Sequence, residues 1–255
     1  MKPFRPDPPS CFISTHLDDV ALSCSHWLAA NPAASVVTVF AGAPSIRRRD
    51  GWNFDTTGET VALKAIDRRR SEDAAAMAIL GASPYWIELW DAQYVAGHRQ
   101  DSAVVQARIR DVLDSIRPRS VIAPLGIHHP DHVAVADACA GLAQASELTW
   151  YCYLDMPYAR SFPAQVQPRL AALSAGGTID LVEREPFRPT TDIKDRAVRL
   201  YRSQLDLVRA DHPGFEPSLT DPERFWAMER ADERRRSPRR GSVQAVPSAS
   251  ARAQR

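Results

Sequence analysis

The sequence predicts a Rossmann-like, three-layer α/β/α domain around a mostly parallel sheet. Short apolar segments alternate with longer segments of helical periodicity from residue 11 to residue 145. Strand–helix units with connections of this length form right-handed crossovers, which place the strands parallel and the helices on both faces of the sheet. The chain of 255 residues, 44% hydrophobic and 25% charged, is long enough to bury a sizeable core around such a sheet.

The first half of the chain alternates regularly between strand and helix patterns. The predicted elements are strand Cys11–Ser14, helix Asp19–Ala30, strand Ser35–Phe40, helix Glu59–Leu80, strand Tyr85–Trp90, helix Ser102–Ile116, strand Ser120–Leu125 and helix Asp131–Ala145. Gly81 is suited to the C-cap of the second helix, and Pro118 ends the third because a pre-proline residue is restricted from helical geometry. A loop containing Trp52 and Phe54 precedes the second helix.

The second half of the chain has a less regular pattern. It predicts a strand at Leu148–Leu154, a loop around Pro157, Pro163 and Pro168, a strand at Ile179–Val182 and a helix at Thr191–Val208. We therefore expect a Pro-rich lead over residues 1–10, a single domain over residues 11–229 and a tail over residues 230–255. The tail has no large apolar residues apart from two valines, a composition that predicts disorder.

Charge and apolar patterning exclude several classes of protein. The net charge is +1, but the tail, with eight arginines and two acids, carries +6, which leaves −5 on the rest of the chain. A general nucleic-acid binder carries positive charge on its folded surface, so we expect no nucleic-acid partner. No apolar run is long enough to span a membrane, and no secretory signal pattern is present. The four cysteines form no CxxC pair and predict buried, reduced thiols in a cytoplasmic protein.

Two clusters of polar residues directly follow predicted strands. One contains His16, Asp18 and Asp19, and the other contains His128, His129, Asp131 and His132. Each cluster alone has a structural interpretation, in which an Asp caps the next helix and the histidines are packed. Ligands bind at the carboxyl ends of parallel strands, however, and neighbouring strands would bring the two clusters together. His16, Asp19 and His132 would then supply two nitrogens and a carboxylate oxygen, a set that suits zinc with one position left for water.

In these clusters the sequence resembles the LmbE-like (PIG-L) family of zinc-dependent N-acetylglucosaminyl de-N-acetylases. Thr15-His16-Leu17-Asp18-Asp19 is similar to the family's His-Pro-Asp-Asp motif, and His129-Pro130-Asp131-His132 has its His-Pro-Asp-His motif intact. Two weaker similarities are Arg69-x-x-Glu72 before Gly81 and the segment Tyr201-Arg202-Ser203-Gln204. The resemblance extends from about residue 11 to residue 206 and implies the LmbE-like deacetylase fold.

The resemblance implies one zinc ion per chain, held by His16, Asp19 and His132. It also implies that Asp18 is the general base, which takes a proton from zinc-bound water. Amide hydrolysis needs a donor for the oxyanion, and we expect His129 to supply it. Asp131 is expected to hydrogen-bond a histidine and fix its tautomer. The sequence does not decide whether Asp18 or His129 returns the proton to the leaving amine.

Substrate contacts are expected from Arg69 on the second helix and from Asp91 at the end of the third strand. Without the family pattern, a solvated surface explains either residue about equally well. His98 and His212 are expected to be surface or structural histidines.

The sequence departs from the family pattern at two places. Leu17 replaces the usual proline of the first motif, so the turn must form without a locked φ. The family commonly has two glycines about six residues after the second Asp of that motif, where this chain has Ser25 and His26. A bulkier pair there would narrow or re-aim the pocket, although we expect His26 to be packed within the helix.

Three functions are consistent with the sequence, and the first is favoured. It is a zinc-dependent deacetylase that removes an acetyl or longer acyl group from a small-molecule amino sugar or related glycoside. The second is a two-metal phosphoesterase, because Ile127-His128-His129 is superficially similar to an Asp-His-His motif, although Ile127 replaces the Asp. The third is a non-catalytic sugar-binding member of the same fold. The exact substrate and the oligomeric state are not defined by the sequence.

Overall fold

The computed structural model describes residues 1–43, 59–94, 101–188, 191–213 and 215–231. Trp52, Phe54, His98 and the tail beyond residue 231 lie outside the described residues. The strands are β1 Lys2–Pro3, β2 Ser10–Ser14, β3 Ser35–Thr38, β4 Ser83–Trp86, β5 Ser120–Pro124, β6 Thr149–Tyr153, β7 Ile179–Glu185 and β8 Phe225–Arg230. The helices are α1 Asp19–Ala30, α2 Glu59–Leu80, α3 Ser102–Ile116, α4 Pro130–Ala145, α5 Tyr158–Ser161, α6 Val166–Ser174, α7 Ile193–Val198, α8 Leu205–Asp211 and α9 Phe215–Ser218.

All of these strands form one mixed sheet in the order β1-β7-β8-β6-β5-β2-β3-β4. The five strands from β6 to β4 in this order pair in parallel, whereas β8 runs antiparallel to both β6 and β7. Two buried apolar clusters contain residues that alternate along the same strands, so helices cover both faces of the sheet. The predicted three-layer α/β/α class is confirmed.

The centre of the sheet places the two polar clusters side by side. β2 pairs in parallel with β3 on one side and with β5 on the other, and all five of its residues are buried. The chain continues from β2 to β3 in one direction and later from β5 to β6 in the other. The crevice between β2 and β5 is therefore the topological switch point of the sheet, the usual place for a ligand in such folds.

Several element boundaries differ from the predictions. The third predicted strand, Tyr85–Trp90, is shifted to Ser83–Trp86, because its ladder with β3 begins just after Gly81 and an edge strand accepts Pro84. The predicted helix Thr191–Val208 is two helices, α7 and α8. The predicted Pro-rich loop contains α5 and α6, since Pro168 lies in the first turn of α6, where proline is tolerated.

Both ends of the described chain add strands that the sequence did not predict. β1 pairs with β7, and the nearby Phe4 ring stacks on Phe225 with 3.7 Å between ring centroids. β8 includes Arg230, which donates to the backbone carbonyl of Ser146. Residues at both predicted domain boundaries thus contribute to the sheet.

Within the described ranges no helix is long and apolar enough to cross a bilayer. The four cysteines are buried and unpaired, as predicted.

Candidate active site

The turn after β2 carries the first polar cluster, and α1 does not use it for capping. Asp18 occupies the N-cap position of α1, yet its side chain makes no capping hydrogen bond. The Asp19 carboxylate instead accepts a hydrogen bond from the backbone N–H of His16 at 2.7 Å. Asp18 and Asp19 are only 8% and 4% exposed. Burial of two adjacent acids is costly unless positive charge compensates them.

The turn after β5 brings the second cluster close to the first. Gly126 has a φ of +86°, and a Cβ there would lie 2.6 Å from Ala136 Cβ and 2.8 Å from the backbone oxygen of His132. Only glycine allows this approach of the turn to α4. His129 is the N-cap residue of α4, and its Nδ1 accepts a hydrogen bond from the backbone N–H of Asp131. The Asp131 side chain is therefore not the cap of α4.

His16, Asp19 and His132 form a group that fits a metal ion, called the metal group below. One donor atom from each lies within 4.8 Å of the others. Asp19 Oδ2 is 3.3 Å from His16 Nδ1 and 3.2 Å from His132 Nε2. Ligand atoms that each lie about 2.0–2.1 Å from a tetrahedral zinc are separated by about 3.3 Å. His132 Nε2 is buried with no hydrogen-bond partner among the described residues, which leaves its lone pair available for a cation.

A carboxylate lies behind each histidine of the metal group. Asp155 Oδ1 is 2.7 Å from His132 Nδ1, and Asp131 Oδ2 is 3.2 Å from His16 Nε2. A carboxylate can only accept, so these contacts place the imidazole N–H on His132 Nδ1 and on His16 Nε2. The opposite nitrogens then face Asp19. Backbone amides hold both carboxylates in place, from Gly126 to Asp155 and from Ala92 to Asp131.

The acids of the site stabilise positive charge between them. Burial disfavours protonated His132, but the carboxylates of Asp19 and Asp155 outweigh it and raise the pKa of His132 to about 9. Burial likewise opposes protonation of His16, and Asp131 and Asp19 raise its pKa well above the ordinary value. The two histidines in turn overcome burial and lower the pKa of Asp19. A divalent cation would supply this positive charge without the protons.

Asp18 differs from Asp19 in its surroundings. Burial, followed by repulsion from Asp19, raises the pKa of Asp18 to about 6, although His16 and Arg69 oppose the change. The residue lines the cavity beside the metal group. A carboxyl group with a pKa near the working pH is well suited to general acid–base chemistry.

His129 presents a neutral ring to the same cavity. Because its Nδ1 accepts the backbone N–H of Asp131, the ring proton lies on Nε2. Burial, together with repulsion from His16 and His132, lowers the pKa of His129 to about 3. The side chain is 33% exposed and lines the cavity. It can therefore donate one hydrogen bond to a ligand without carrying a charge.

A cavity of about 510 Å³ opens over these residues. Six of the residues predicted for the site line it: His16, Asp18, Asp19, Arg69, Asp91 and His129. Asp131 and His132 are fully buried behind the wall. Asp91 Oδ2 is 3.7 Å from His16 Nε2. The prediction that Asp91 ends a strand is wrong, because β4 ends at Trp86, but the residue still reaches the rim of the cavity.

A larger groove of about 650 Å³, by the ends of α3 and α4, has no histidine among its lining residues.

Four residues that the structure brings to the site were not among the predicted site residues: Asp155, Tyr158, Gln204 and His212. Asp155 lies just beyond β6, so the strand-end argument used for the two clusters could have found it. Gln204 belonged to a weak motif that was given no role. His212 was expected to be surface or structural, but it lines the cavity, is 6% exposed and has its Nδ1 2.9 Å from Ser161 Oγ.

Two acids of α2 hold the segment that carries Gln204. Tyr201 donates its hydroxyl to Asp73 Oδ1 at 2.8 Å, and Ser203 donates its hydroxyl to Glu72 Oε2 at 2.6 Å. These contacts explain why α7 and α8 are separate helices. They bring Gln204 to the same cavity wall as Arg69. Arg69 Nε and Gln204 Nε2 are buried and have no hydrogen-bond partner among the described residues, so both can donate to a ligand.

Ser25 and His26 do not narrow the cavity, which corrects that expectation. Neither residue lines it. Ser25 Oγ donates to the Ala21 carbonyl within α1. His26 is packed, as expected, and its backbone N–H donates to Glu223, which pairs with Lys194 at 2.8 Å in the core. The side chains of this pair therefore pack away from the cavity.

Comparison with known sequences identifies one family. The family described as GlcNAc-PI de-N-acetylase, PIG-L, matches residues 11–143, which is just over half of the chain and includes both polar clusters. A comparison with curated proteins finds none that matches.

Comparison with solved structures finds deacetylases with the same fold. A triple mutant of a teicoplanin-pathway deacetylase has a TM-score of 0.66 at 24% identity, covering 88% of this chain and 99% of that chain. A zinc-inhibited form of teicoplanin deacetylase Orf2 has a TM-score of 0.63 at 23% identity, with the same coverage of both chains. The A40926 pseudoaglycone deacetylase has a TM-score of 0.64 at 25% identity, covering 87% of this chain and 97% of that chain. The N,N'-diacetylchitobiose deacetylase from Pyrococcus horikoshii gives 0.52 at 16% identity, covering 91% and 87%.

Proposed function

We propose that this chain, which belongs to the GlcNAc-PI de-N-acetylase (PIG-L) family, is a zinc-dependent hydrolase that removes an acetyl group from an amino sugar or related glycoside. The observation that carries the proposal is the convergence of His16, Asp19 and His132 beside a cavity that His16, Asp18 and Asp19 line. The structural relatives support it, since their names describe deacetylases of teicoplanin, of the A40926 pseudoaglycone and of N,N'-diacetylchitobiose.

The metal group would hold zinc through His16 Nδ1, Asp19 Oδ2 and His132 Nε2. When bound, zinc acts as a Lewis acid that polarises an amide carbonyl and makes a water molecule more acidic. The two nitrogens and one oxygen support zinc as the ion, and so does the relative whose structure is described as zinc-inhibited.

Asp18 would act as the base. Its carboxylate lines the cavity, makes no capping hydrogen bond and adjoins Asp19 of the metal group. Asp18 takes a proton from the hydrolytic water while the oxygen of that water attacks the carbonyl carbon of the amide. The C–N bond then breaks, and the products are acetate and a free amine.

His129 would stabilise the oxyanion as a neutral donor. Its Nδ1 is occupied by the backbone N–H of Asp131, so Nε2–H is the group left for the substrate. A neutral imidazole with this hydrogen-bonding pattern is a poor proton source. Asp18, having accepted the proton of the water, is therefore the residue that returns it to the leaving amine. Asp18 is thus our proposal for the step that the sequence left open between Asp18 and His129.

Arg69, Asp91 and Gln204 would bind the polar groups of the sugar. All three line the cavity, and Arg69 and Gln204 offer buried nitrogens that have no partner within the described part of the chain. Asp91 accepts hydrogen bonds, whereas Arg69 donates them, so together they suit vicinal hydroxyl groups. A sugar amide is thus favoured over an unsubstituted aliphatic amide.

The described residues favour one ion over two. A second set of donors, His16, His129 and Asp131, shares His16 with the metal group, so the two sets do not offer separate ligands for two ions. Two-metal phosphoryl transfer requires ions about 3.5–4 Å apart that act together on the substrate. This argues against the phosphoesterase alternative.

The test is acetate release from a panel of N-acetylated amino sugars and their glycosides, with the zinc-loaded protein. We expect release with at least one panel member, and a loss of about 10²–10⁴-fold in the Asp18→Asn variant, because an amide cannot accept the proton. Zinc content should be unchanged. The control is Asp206→Asn, an acid that is 96% exposed and does not line the cavity. Undiminished turnover in Asp18→Asn would overturn the role of Asp18.

A further inference from the structure

The cavity is larger than the reaction requires. Its volume of about 510 Å³ lies within the roughly 300–1,000 Å³ that encloses whole drug-sized ligands. Polar residues of the site line one part of it. Another part is lined by apolar side chains from four segments: Leu22, Pro130, Pro157, Tyr158, Leu207 and Val208. A free sugar would leave this apolar part in contact with water.

Helix α8 shows how the apolar part is placed relative to the polar one. Gln204, Leu207, Val208 and Asp211 line the cavity and are spaced i, i+3, i+4 and i+7, so they lie on one face of the helix. Gln204 also lines a small inner cavity with His16 and Arg69. Asp211 lies seven residues further, about 10 Å along the helix axis. The apolar pair Leu207 and Val208 therefore lies outward from the metal group.

Aromatic rings extend the cavity wall from the metal group. The Tyr158 ring lies 4.6 Å from the ring of His132 and 4.7 Å from that of His212, centroid to centroid. Next to it, His128 stacks on Phe162 at 3.6 Å and 10°. The packed rings give this wall a fixed shape, which suits a flat apolar group.

We propose that this outer wall, formed by Pro157, Tyr158, Leu207 and Val208, binds an apolar aglycone. The substrate is then a glycoside with an aromatic or similarly apolar group on the sugar, and free N-acetylhexosamine is a poor substrate. The inference rests on the proposed function, because it places the sugar amide at the metal group. Removal of the aglycone and the outer wall from water supplies the binding energy.

The acyl group is a less suitable occupant of the outer wall than the aglycone. The inner cavity beside His16 has a volume of about 40 Å³ and includes Leu17, Phe40 and Ile66 in its lining. This is enough for a methyl group, whose size is close to that of one water molecule, but not for a long chain. His16, Arg69, Asp91 and Gln204 line both cavities, so the inner one adjoins the polar end of the site. The acetyl methyl points inward, and the outer wall is left for the aglycone.

The kinetic test compares two substrates in three proteins. Acetate release is measured from the 4-nitrophenyl and methyl β-glycosides of N-acetylglucosamine. We expect kcat/KM to be at least about tenfold higher for the aryl glycoside in the wild type. In Val208→Asp this ratio should fall to about twofold or less, because a carboxylate faces the ring. Ala210→Asp, which places the same charge on the exposed face of α8, should keep the wild-type ratio.

A binding test separates this inference from the proposed function. The wild type and both variants are titrated by calorimetry with the 4-nitrophenyl and methyl β-glycosides of glucosamine, which carry no amide. At least tenfold tighter binding of the aryl ligand, reduced in Val208→Asp, supports the outer wall even if no acetate is ever released. Equal binding of the two ligands by the wild type overturns the inference, whatever the variants do. The inference would also be overturned if N-octanoyl methyl glucosaminide bound more tightly than both of these glycosides, because the outer wall would then bind an acyl chain.

Discussion

Two carboxylates decide which nitrogen each histidine of the metal group turns toward Asp19. Asp155 orients His132 through Nδ1, and Asp131 orients His16 through Nε2. Each carboxylate is in turn fixed by a backbone amide. The two rings are thereby held in one orientation, with the nitrogens that would bind the ion turned toward Asp19.

At the residue scale, we expect Asp155→Asn to weaken zinc binding about 10–100-fold, because the amide is a weaker acceptor for His132 Nδ1–H and points an N–H at Gly126 in some orientations. Competition with a chromophoric chelator measures the affinity. The matched control is Asp206→Asn on α8, an acid that is 96% exposed and does not line the cavity. Equal affinities in the wild type and Asp155→Asn would show that the contact does not tune the metal group.

The sequence predicted the residues of the metal group and a carboxylate contact from Asp131, but it did not predict Asp155. His16, Asp19 and His132 belong to short motifs at strand ends, where residue type and position both point to a ligand site. Asp155 has no such motif, and its partner His132 is 23 residues away. His212 was expected to be a surface or structural histidine, and no sequence motif assigned it to the site. Its place in the cavity depends on tertiary packing against Tyr158.

At the element scale, the turn from β5 to α4 depends on one glycine. Gly126 has a φ of +86° and no room for a Cβ, whereas Gly177 has a φ of +65° with nothing within 4 Å of a Cβ. We expect Gly177→Ala to lower the free energy of unfolding by about 1 kcal/mol, the cost of the left-handed conformation alone. Gly126→Ala should cost about 1–3 kcal/mol more, because the new methyl group overlaps Ala136. Urea denaturation measures both, and equal losses would contradict the close approach of turn and helix.

The contact between α2 and the segment before α8 should be visible in the pH dependence of stability. Burial raises the pKa of Asp73 to about 6, although hydrogen bonds from Trp86 and Tyr201 oppose it. The folded protein therefore holds this proton more tightly than the unfolded chain. The protonated Asp73 therefore adds to the free energy of unfolding below about pH 4. This contribution, roughly 3 kcal/mol, is lost as the pH rises through about 6.

Asp73→Asn should remove this part of the pH dependence of the free energy of unfolding, because the variant has no proton to lose at that position. Denaturation of both proteins between pH 4 and 7 gives the difference, and the wild type should lose stability relative to the variant over this range. Parallel curves would contradict the raised pKa. The offset between the curves, which reflects altered hydrogen bonds to Trp86 and Tyr201, does not affect this comparison.

Local signals predicted the elements whose ends they mark. α1, α2 and α3 have the predicted bounds, since each pattern ends at a strong stop such as Gly81 or Pro118. Thr191–Val208 is broken by long-range contacts from Glu72 and Asp73, which leave no trace in local periodicity. β8 was missed for a related reason, because it inserts antiparallel between β6 and β7 and depends on pairing with distant strands.

At the scale of the whole molecule, one topological rule accounts for the site. Cys11 of β2 lies opposite Val121 of β5, which is 110 residues later in the sequence, and the two strands are neighbours at the switch point of the sheet. The rule that parallel strands present their carboxyl ends at one edge therefore predicted that the two clusters would meet. It could not predict the outer wall of the cavity, because α5 and α8 reach that edge through irregular connections.

The central claim is that one zinc ion, held by His16, Asp19 and His132, supports amide hydrolysis in this cavity. The most direct test is a zinc titration of chelator-treated protein, with bound metal and acetate release measured in the same samples. We predict that both rise together and reach a plateau at one zinc per chain, and that His132→Gln shows neither. Full acetate release from zinc-free protein, or a plateau only at two ions per chain, would contradict the claim.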